Sequence, residues 1–389
     1  MIRLILFLLI FFLPTVLFAK KIEVNYAGFS YLGNNESQFS GMPLTTLLTK
    51  EKKGNQNTVD FAITDKLKKT NPKNFNINFS LADLEKGNNI MMSIGISKEI
   101  FSEEYNSYTK AYNNSIGLFL QIYFYDFKEK KLIAAVPIYG EVNFISQVKA
   151  DNNIKLKNLR DFYEDQLMGE NGEKIGITAK IKEVLENFEL KEKYRNRIGV
   201  TKVDIEDRAK AEIPNNLNQN ELKNEIAQSL SSKLSLHQGV SIVPFIEGVA
   251  IGGTMKARIV QSSEIYNISL PKPDFFIELG ISNFRKGIAE TSDVSDIWQY
   301  GSAITVKIYE PDLNKIYLND RLVRVANIKR AKGTDINHWG KFYFNNQILL
   351  EEFAINISKQ NRDWVSSTSE KREFSDQLNE VNKLLEKVR

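Results

Sequence analysis

The sequence predicts an α+β protein built of two similar α/β modules, each a mostly antiparallel sheet covered by helices, followed by a C-terminal helix. Two observations lead there. Long apolar strands come in pairs around charged turns, each pair downstream of a helical stripe. The whole pattern then occurs a second time, about 180 residues later.

The chain opens on an export signal. Arg3 precedes an apolar run from Leu4 to Ala19, broken only by Pro14 and Thr15, with Lys20 next. A basic start, an apolar stretch and a small residue at the cleavage point describe a secretory signal peptide over 1–19. The run is shorter than the roughly 20 apolar residues of a spanning helix, although an uncleaved N-terminal anchor is the other reading. No later segment is apolar and long enough to span as a helix. The expected location is the periplasm or another exported compartment, with a peripheral place at the outer membrane as one form of it.

The first module is expected over 20–195. It begins with a strand, Ile22–Leu32, and a helix, Thr58–Lys69, with Val59, Ile63 and Leu67 on one face. A short strand, Phe75–Phe79, leads to an apolar strand ending in Gly95-Ile96-Ser97. After a polar loop, Glu99–Asn114, come the strands Ser115–Phe127 and Leu132–Val148 around the turn Lys128–Lys131. Phe162-Tyr163 opens a helical pattern. Thr178–Arg197, striped by Ile181, Val184, Leu185 and Phe188, closes the module.

The second module, 196–365, repeats this order. It has a strand, Arg197–Ile205, a helix, Asn220–Leu236, and a strand, Val240–Phe245. Leu222, Ile226, Leu230 and Leu234 recur every fourth residue on the helix, and Asn218 with Glu221 forms a capping-box pattern at its start. A strand ending in Gly280-Ile281-Ser282, a polar loop, Arg285–Tyr300, and a hairpin, Gly301–Pro311 with Ile316–Ile328, follow. Phe342-Tyr343 opens the next helix. Residues 366–389 form an amphipathic helix whose Phe374, Leu378, Val381, Leu385 and Val388 make a short heptad seam. That seam serves either docking on its own module or a homo-oligomer.

The charge balance, 52 Lys+Arg against 48 Asp+Glu, is interspersed, which argues against a nucleic-acid-binding face. The chain has no cysteine. Disulfides, thiolate metal sites and an acylated lipoprotein anchor are thereby excluded. At 42% hydrophobic, about 370 residues after the signal suffice for two cores.

Catalytic residue types are sparse. His237 ends the second-module helix, where a cation meets the helix dipole favourably. His338 lies in Asp335-Ile336-Asn337-His338, and Asp335 with His338 would make an acid–base pair or two metal ligands. A third ligand or a nucleophile at recognisable spacing is missing, and no cofactor is expected. Gly248–Thr254 lacks the Lys-Ser/Thr and helix of a phosphate cradle, so it reads as a hairpin turn between Ile242–Phe245 and Met255–Val260. Glu103-Glu104 and Glu351-Glu352 read as solvated or divergent pairs. Two carboxylates distant in the chain would leave no spacing signature. The strand aromatics, among them Phe119, Tyr123, Tyr125, Phe275 and Tyr309, read as core with one half-exposed face, a carbohydrate- or peptide-stacking surface being the other reading.

The second half resembles the CsgG-like fold family, whose relatives include the TolB amino-terminal domain and the periplasmic activators of penicillin-binding proteins. The resemblance rests on the helix Glu221–Leu236 before Val240–Val243, on Pro273-Asp274-Phe275-Phe276 running to Gly280, and on the hairpin Ala303–Val325. It implies an envelope module. The polar loops 99–114 and 285–300 lack the apolar alternation of membrane-spanning hairpins, so a pore is not implied.

The expectation is a non-enzymatic exported envelope protein, a binding or assembly scaffold for periplasmic partner proteins. Two other readings are an envelope hydrolase using carboxylates or the Asp335/His338 pair, and a cell-wall or lipid-binding module.

Overall fold

The computed structural model describes residues 21–33, 41–79, 89–106, 109–169, 174–194, 196–333, 336–369 and 371–389. Residues 1–19, where a signal peptide is expected, and Asp335 lie outside the described residues. The fold is mixed α+β, as expected, with a helix at the C-terminus.

In the first half the strands of the main sheet are β1 (Ile22–Gly33), β2 (Phe75–Asn78), β3 (Ile90–Asn106), β4 (Ala111–Asp126) and β5 (Lys131–Ser146). Its helices are α1 (Pro43–Lys50), α2 (Thr58–Leu67), α3 (Asn152–Tyr163) and α4 (Ile177–Asn187). The second half begins with β6 (Ile198–Ile205), α5 (Asp207–Lys210), α6 (Gln219–Gln238), β7 (Ile242–Val243), β8 (Thr254–Ile259) and β9 (Ile265–Ser269). It continues through β10 (Phe275–Thr291), β11 (Ser295–Glu310), β12 (Lys315–Ala331), α7 (His338–Lys359), α8 (Arg362–Thr368) and α9 (Phe374–Val388).

Five strands of the first sheet run in the order β2-β1-β3-β4-β5, and the second sheet runs β7-β6-β10-β11-β12. The two orders match strand for strand, with parallel pairing around β1 and β6 and antiparallel pairing along the two meanders. The repeated Gly-Ile-Ser has a structural meaning. In both meanders the ladder slips one residue after the isoleucine, so Ser97 and Ser282 are the extra residues of equivalent β-bulges.

One segment departs from the simple division. The expected hairpin between Ile242–Phe245 and Met255–Val260 does not form. The short strand β7 instead pairs with β6 at the edge of the second sheet. The glycine loop, with Gly248 and Gly252 at positive φ, then carries the chain across to the first sheet. There β8 pairs antiparallel with β1 and with β9, and β9 meets β5. The pairings β1-β3-β4-β5-β9-β8-β1 thus close a ring around a small core of Leu32, Met91, Tyr123, Tyr125, Met255 and Ile268. Covering the first sheet's outer face this way satisfies strand edges and buries aromatic rings together.

On the other face of each sheet lies a larger core. Val59, Ile63 and Leu67 of α2 pack beneath β1, β3, β4 and β5. Leu222, Ile226, Leu230 and Leu234 of α6 pack with α7 and α9 beneath the second sheet. All five residues of the C-terminal seam are buried in that same core, so the seam docks on its own chain and is not free for an oligomer.

Other boundaries shift for identifiable reasons. The polar segments 99–114 and 285–300 are largely strand, because they extend the two three-stranded meanders, whose ladders satisfy the backbone whatever the side-chain pattern. Phe162-Tyr163 closes α3 instead of opening a helix, because Asp151 accepts the Ile154 amide at 2.9 Å and starts the helix earlier. The helix expected across 178–197 stops at Asn187.

The two motif glycines differ in what they require. A Cβ at Gly95 would overlap the Leu32 side chain, which crosses it inside the ring; at Gly280 the nearest atom would be Thr305 Cβ at 3.6 Å. Gly95→Ala is expected to cost about 1–3 kcal/mol through overpacking, and Gly280→Ala to stay within about 0.5 kcal/mol. Paired urea titrations of the two variants check this; equal effects would contradict the geometry.

Candidate functional site

The same face of the two sheets is treated in opposite ways. On the first sheet α6 lies across the outer face of the β3–β5 meander. Its apolar stripe faces the second core, so the surface it turns to the first sheet is polar and small: Glu221, Glu225, Gln228, Ser231 and Ser232. Ser97 Oγ donates to Gln228 Oε1 at 2.8 Å. Lys98, beside the bulge, hydrogen-bonds Glu221 and sits 3.5 Å from Glu225. Glu221 therefore turns to an ammonium rather than back to its own helix start, while Asn218 caps alone, accepting the Asn220 amide at 2.9 Å and the Glu221 amide at 3.3 Å. Beneath α6, Phe119 is 1% exposed.

Burial dominates the electrostatics of this seam. Glu225, with 12% of its side chain exposed, is pushed up to about 7 by desolvation, against the opposing pull of Lys98. Further along α6, buried Lys233 bonds Ser229 Oγ at 3.2 Å and Gln347 Oε1 at 3.1 Å, and desolvation lowers its pKa. Glu351 answers it from 3.5 Å and meets His237 Nε2 at 2.5 Å. Burial raises the Glu351 carboxyl, but the His237 bond and the Lys233 charge outweigh this and hold it below the usual range. A polar cleft of about 380 Å³ opens where α6 meets the first sheet, lined by Lys98, Gln121, Asn224, Glu225, Gln228 and Phe245.

On the second sheet the corresponding face is bare. There lies a trough of about 660 Å³. Its rows follow the ladder: Arg285 opposite Gly301 and Val325, Asn283 opposite Ala303 and Val323, and Gly280 opposite Thr305 and Arg321. Gly301 and Ala303 form a shallow floor. Arg285 and Arg321 rise from the flanking strands, and Arg208 reaches in from α5. All three guanidinium groups belong to exposed residues, and none has an ion pair or side-chain hydrogen bond among the described residues. Lys286 is neutralised by Glu212 at 2.6 Å. Glu206 is the one carboxylate on the rim. The trough is net positive.

The residues singled out from sequence lie elsewhere. His237 sits in the last turn of α6, as expected, but its ring engages Glu351 of α7 and not the helix carbonyls. His338 Nδ1 is 2.8 Å from the Tyr300 hydroxyl, and its ring packs on Trp298 with centroids 4.9 Å apart. The acidic pairs are not idle surface: Glu104 holds Lys341 at 2.5 Å and Arg330 at 3.8 Å, and Glu352 lies 3.6 Å from Arg324. Glu103 accepts the Ala150 amide at 3.0 Å. Among the described residues no group of three or more His, Cys, Asp or Glu is placed to hold a metal ion, and no helix is long and apolar enough to cross a membrane. The three arginines escaped the sequence reading because they are scattered over 208–321. Only the pairing of β10, β11 and β12, with α5 beside them, brings them to one face.

No family model matches the chain, and no curated protein matches it in sequence. Among solved structures it is similar to a putative neuraminyllactose-binding hemagglutinin homolog from Helicobacter pylori, at 14% identity over 49% of this chain and 91% of that one, with a TM-score of 0.24. It is also similar to a DUF330 protein from Xanthomonas campestris, at 11% identity over 41% and 80%, TM-score 0.20. A minor lipoprotein from Acinetobacter baumannii matches at 12% identity over 43% and 96%, TM-score 0.19. Likeness at this level leaves function to be argued from the chain's own residues.

Proposed function

We propose that this chain is an exported envelope protein that works by binding, a scaffold that holds a partner protein against the open face of its second sheet. The observation that carries the reading is the trough itself: three unpaired arginines around a small-residue floor, on the face that the first sheet keeps covered. A bare sheet face with free guanidinium groups is suited to a partner, since Arg is enriched where interfaces concentrate their energy. The export signal at 1–19 and the CsgG-like order of elements in the second half support an envelope setting.

A photo-crosslinking residue at Val323, on the trough, tests this in intact cells. One discrete envelope protein should be captured, and the Arg285→Glu/Arg321→Glu double variant should reduce that capture at least tenfold while its melting temperature stays unchanged. Capture that persists after charge reversal, or background labelling alone, would overturn the reading.

A further inference from the structure

The first sheet shows what this architecture places on such a face. Aligned on the two bulges, Ser97 corresponds to Ser282, Lys98 to Asn283, Ile100 to Arg285, Gly117 to Gly301, Phe119 to Ala303 and Tyr139 to Val323. On the first sheet this patch seats a helix. The helix meets it with Glu221 and Glu225, one turn apart, on Lys98, with Gln228 on Ser97, and with serines where its backbone runs close, Ser231 and Ser232 being 5% exposed.

On the second sheet the patch keeps its bulge, its serine and its glycine floor. Its bulky Phe is replaced by Ala and its one cation, Lys98, by Asn283, while arginines stand at the rim. We infer that the occupant of the trough is a helix of the partner protein, with carboxylates one or two turns apart and small side chains between them, lying across β10–β12 as α6 lies across β3–β5.

The dimensions fit. Arg285 and Arg321 are two strands and four residues apart, which at about 4.8 Å per strand and about 3.4 Å per residue separates their Cα atoms by roughly 16 Å. Long side chains leaning inward from those points bracket carboxylates spaced by one or two helical turns, about 5–11 Å. Arg208 lies on the same rim. The lone carboxylate, Glu206, disfavours a uniformly anionic surface and favours a ligand whose charges have fixed places. The trough is also concave, unlike a surface shaped for a flat bilayer.

This inference rests on the open face being a partner site, and its test separates the two. The full-length protein without its signal is titrated at low salt with a fluorescent alanine- and serine-based 20-residue helical peptide carrying two Glu four positions apart. A peptide of the same composition with the two Glu two positions apart, on opposite sides of the helix, is the control. The expected result is saturable binding to the first peptide, at least fivefold weaker binding to the control, and at least a tenfold loss with Arg285→Glu/Arg321→Glu. Among the described residues neither guanidinium group has an ion pair or hydrogen bond that reversal would break, and an unchanged melting temperature checks it. Equal binding of both peptides would overturn the helix inference. So would binding only to phosphatidylglycerol vesicles, or binding only to inorganic phosphate. If the Val323 crosslink forms but neither peptide binds, the partner site stands and the helical occupant falls.

Discussion

Leu230→Asp is expected to destabilise the protein by more than about 4 kcal/mol, beyond the range of ordinary point substitutions. Leu230 is fully buried on α6 among Ile198, Ile277 and Leu350 of the second core. The substitution removes roughly 1.5–3 kcal/mol of apolar burial and puts a carboxylate into an apolar cluster. A typical domain has only about 5–15 kcal/mol in hand, so a large share of the stability is lost in one step.

The damage should also spread. The β8–β9 hairpin belongs to the second half by sequence and to the first sheet by pairing, and α6 covers the first sheet's outer face. Unfolding the second core therefore uncovers the first. All three tryptophans, Trp298, Trp339 and Trp364, lie in the second half, so their fluorescence reports that core while far-UV circular dichroism reports both. In urea the two signals should shift together to a lower midpoint. A variant within about 1 kcal/mol of the parent, or a circular-dichroism transition left at its original midpoint while fluorescence moves, would contradict this coupling.

What the sequence made legible follows from which signals are local. The stripe Leu222/Ile226/Leu230/Leu234 and the hairpins around 128–131 and 312–315 are periodic over short stretches, and they stand where the pattern put them. The repeat was legible because a bulge needs the same few residues each time, and Gly-Ile-Ser marks it twice. What stayed hidden is relational. Nothing near Thr254–Ser269 says that this hairpin leaves its own module, because the reason is the bare edge of β1 more than 200 residues away. The polar arms beyond Glu99 and Arg285 carry no apolar alternation, because their backbone is satisfied by the neighbouring strands and polar side chains such as Glu99, which accepts the Leu44 and Thr45 amides, fill positions where apolar ones would mark a strand. The trough is invisible for the same reason: its arginines share a face only after three strands are in register.

Replacing Glu225 with Gln should make the protein more resistant to rising pH, and the sign follows from the direction of its shift. In the unfolded chain the carboxyl titrates near its ordinary value of 4.5, whereas in the fold burial lifts it to about 7. Below pH 4.5 both states hold the proton, and the group adds no pH dependence. Between about 4.5 and 7 the unfolded state has released the proton while the folded state retains it, so stability falls as pH rises. Above 7 both are ionised and the loss levels off, at about 3 kcal/mol for a shift of this size. Gln keeps the shape and cannot ionise, so the stability difference between Glu225→Gln and the parent should grow by about that amount from pH 4.5 to pH 8. Lys98 sets how far the shift goes: with Lys98→Met the carboxyl loses its neighbouring cation, and the decline should extend to higher pH. Denaturant titrations of the parent and both variants across that range decide the matter, and a difference that stays flat with pH would show that Glu225 is solvated. The same variant bears on the hydrolase reading, because a carboxyl protonated near neutrality beside a polar cleft is what a general acid requires. If Glu225→Gln leaves capture at Val323 intact, the carboxyl serves the seam under α6 and the proposed partner site on the second sheet does not need it.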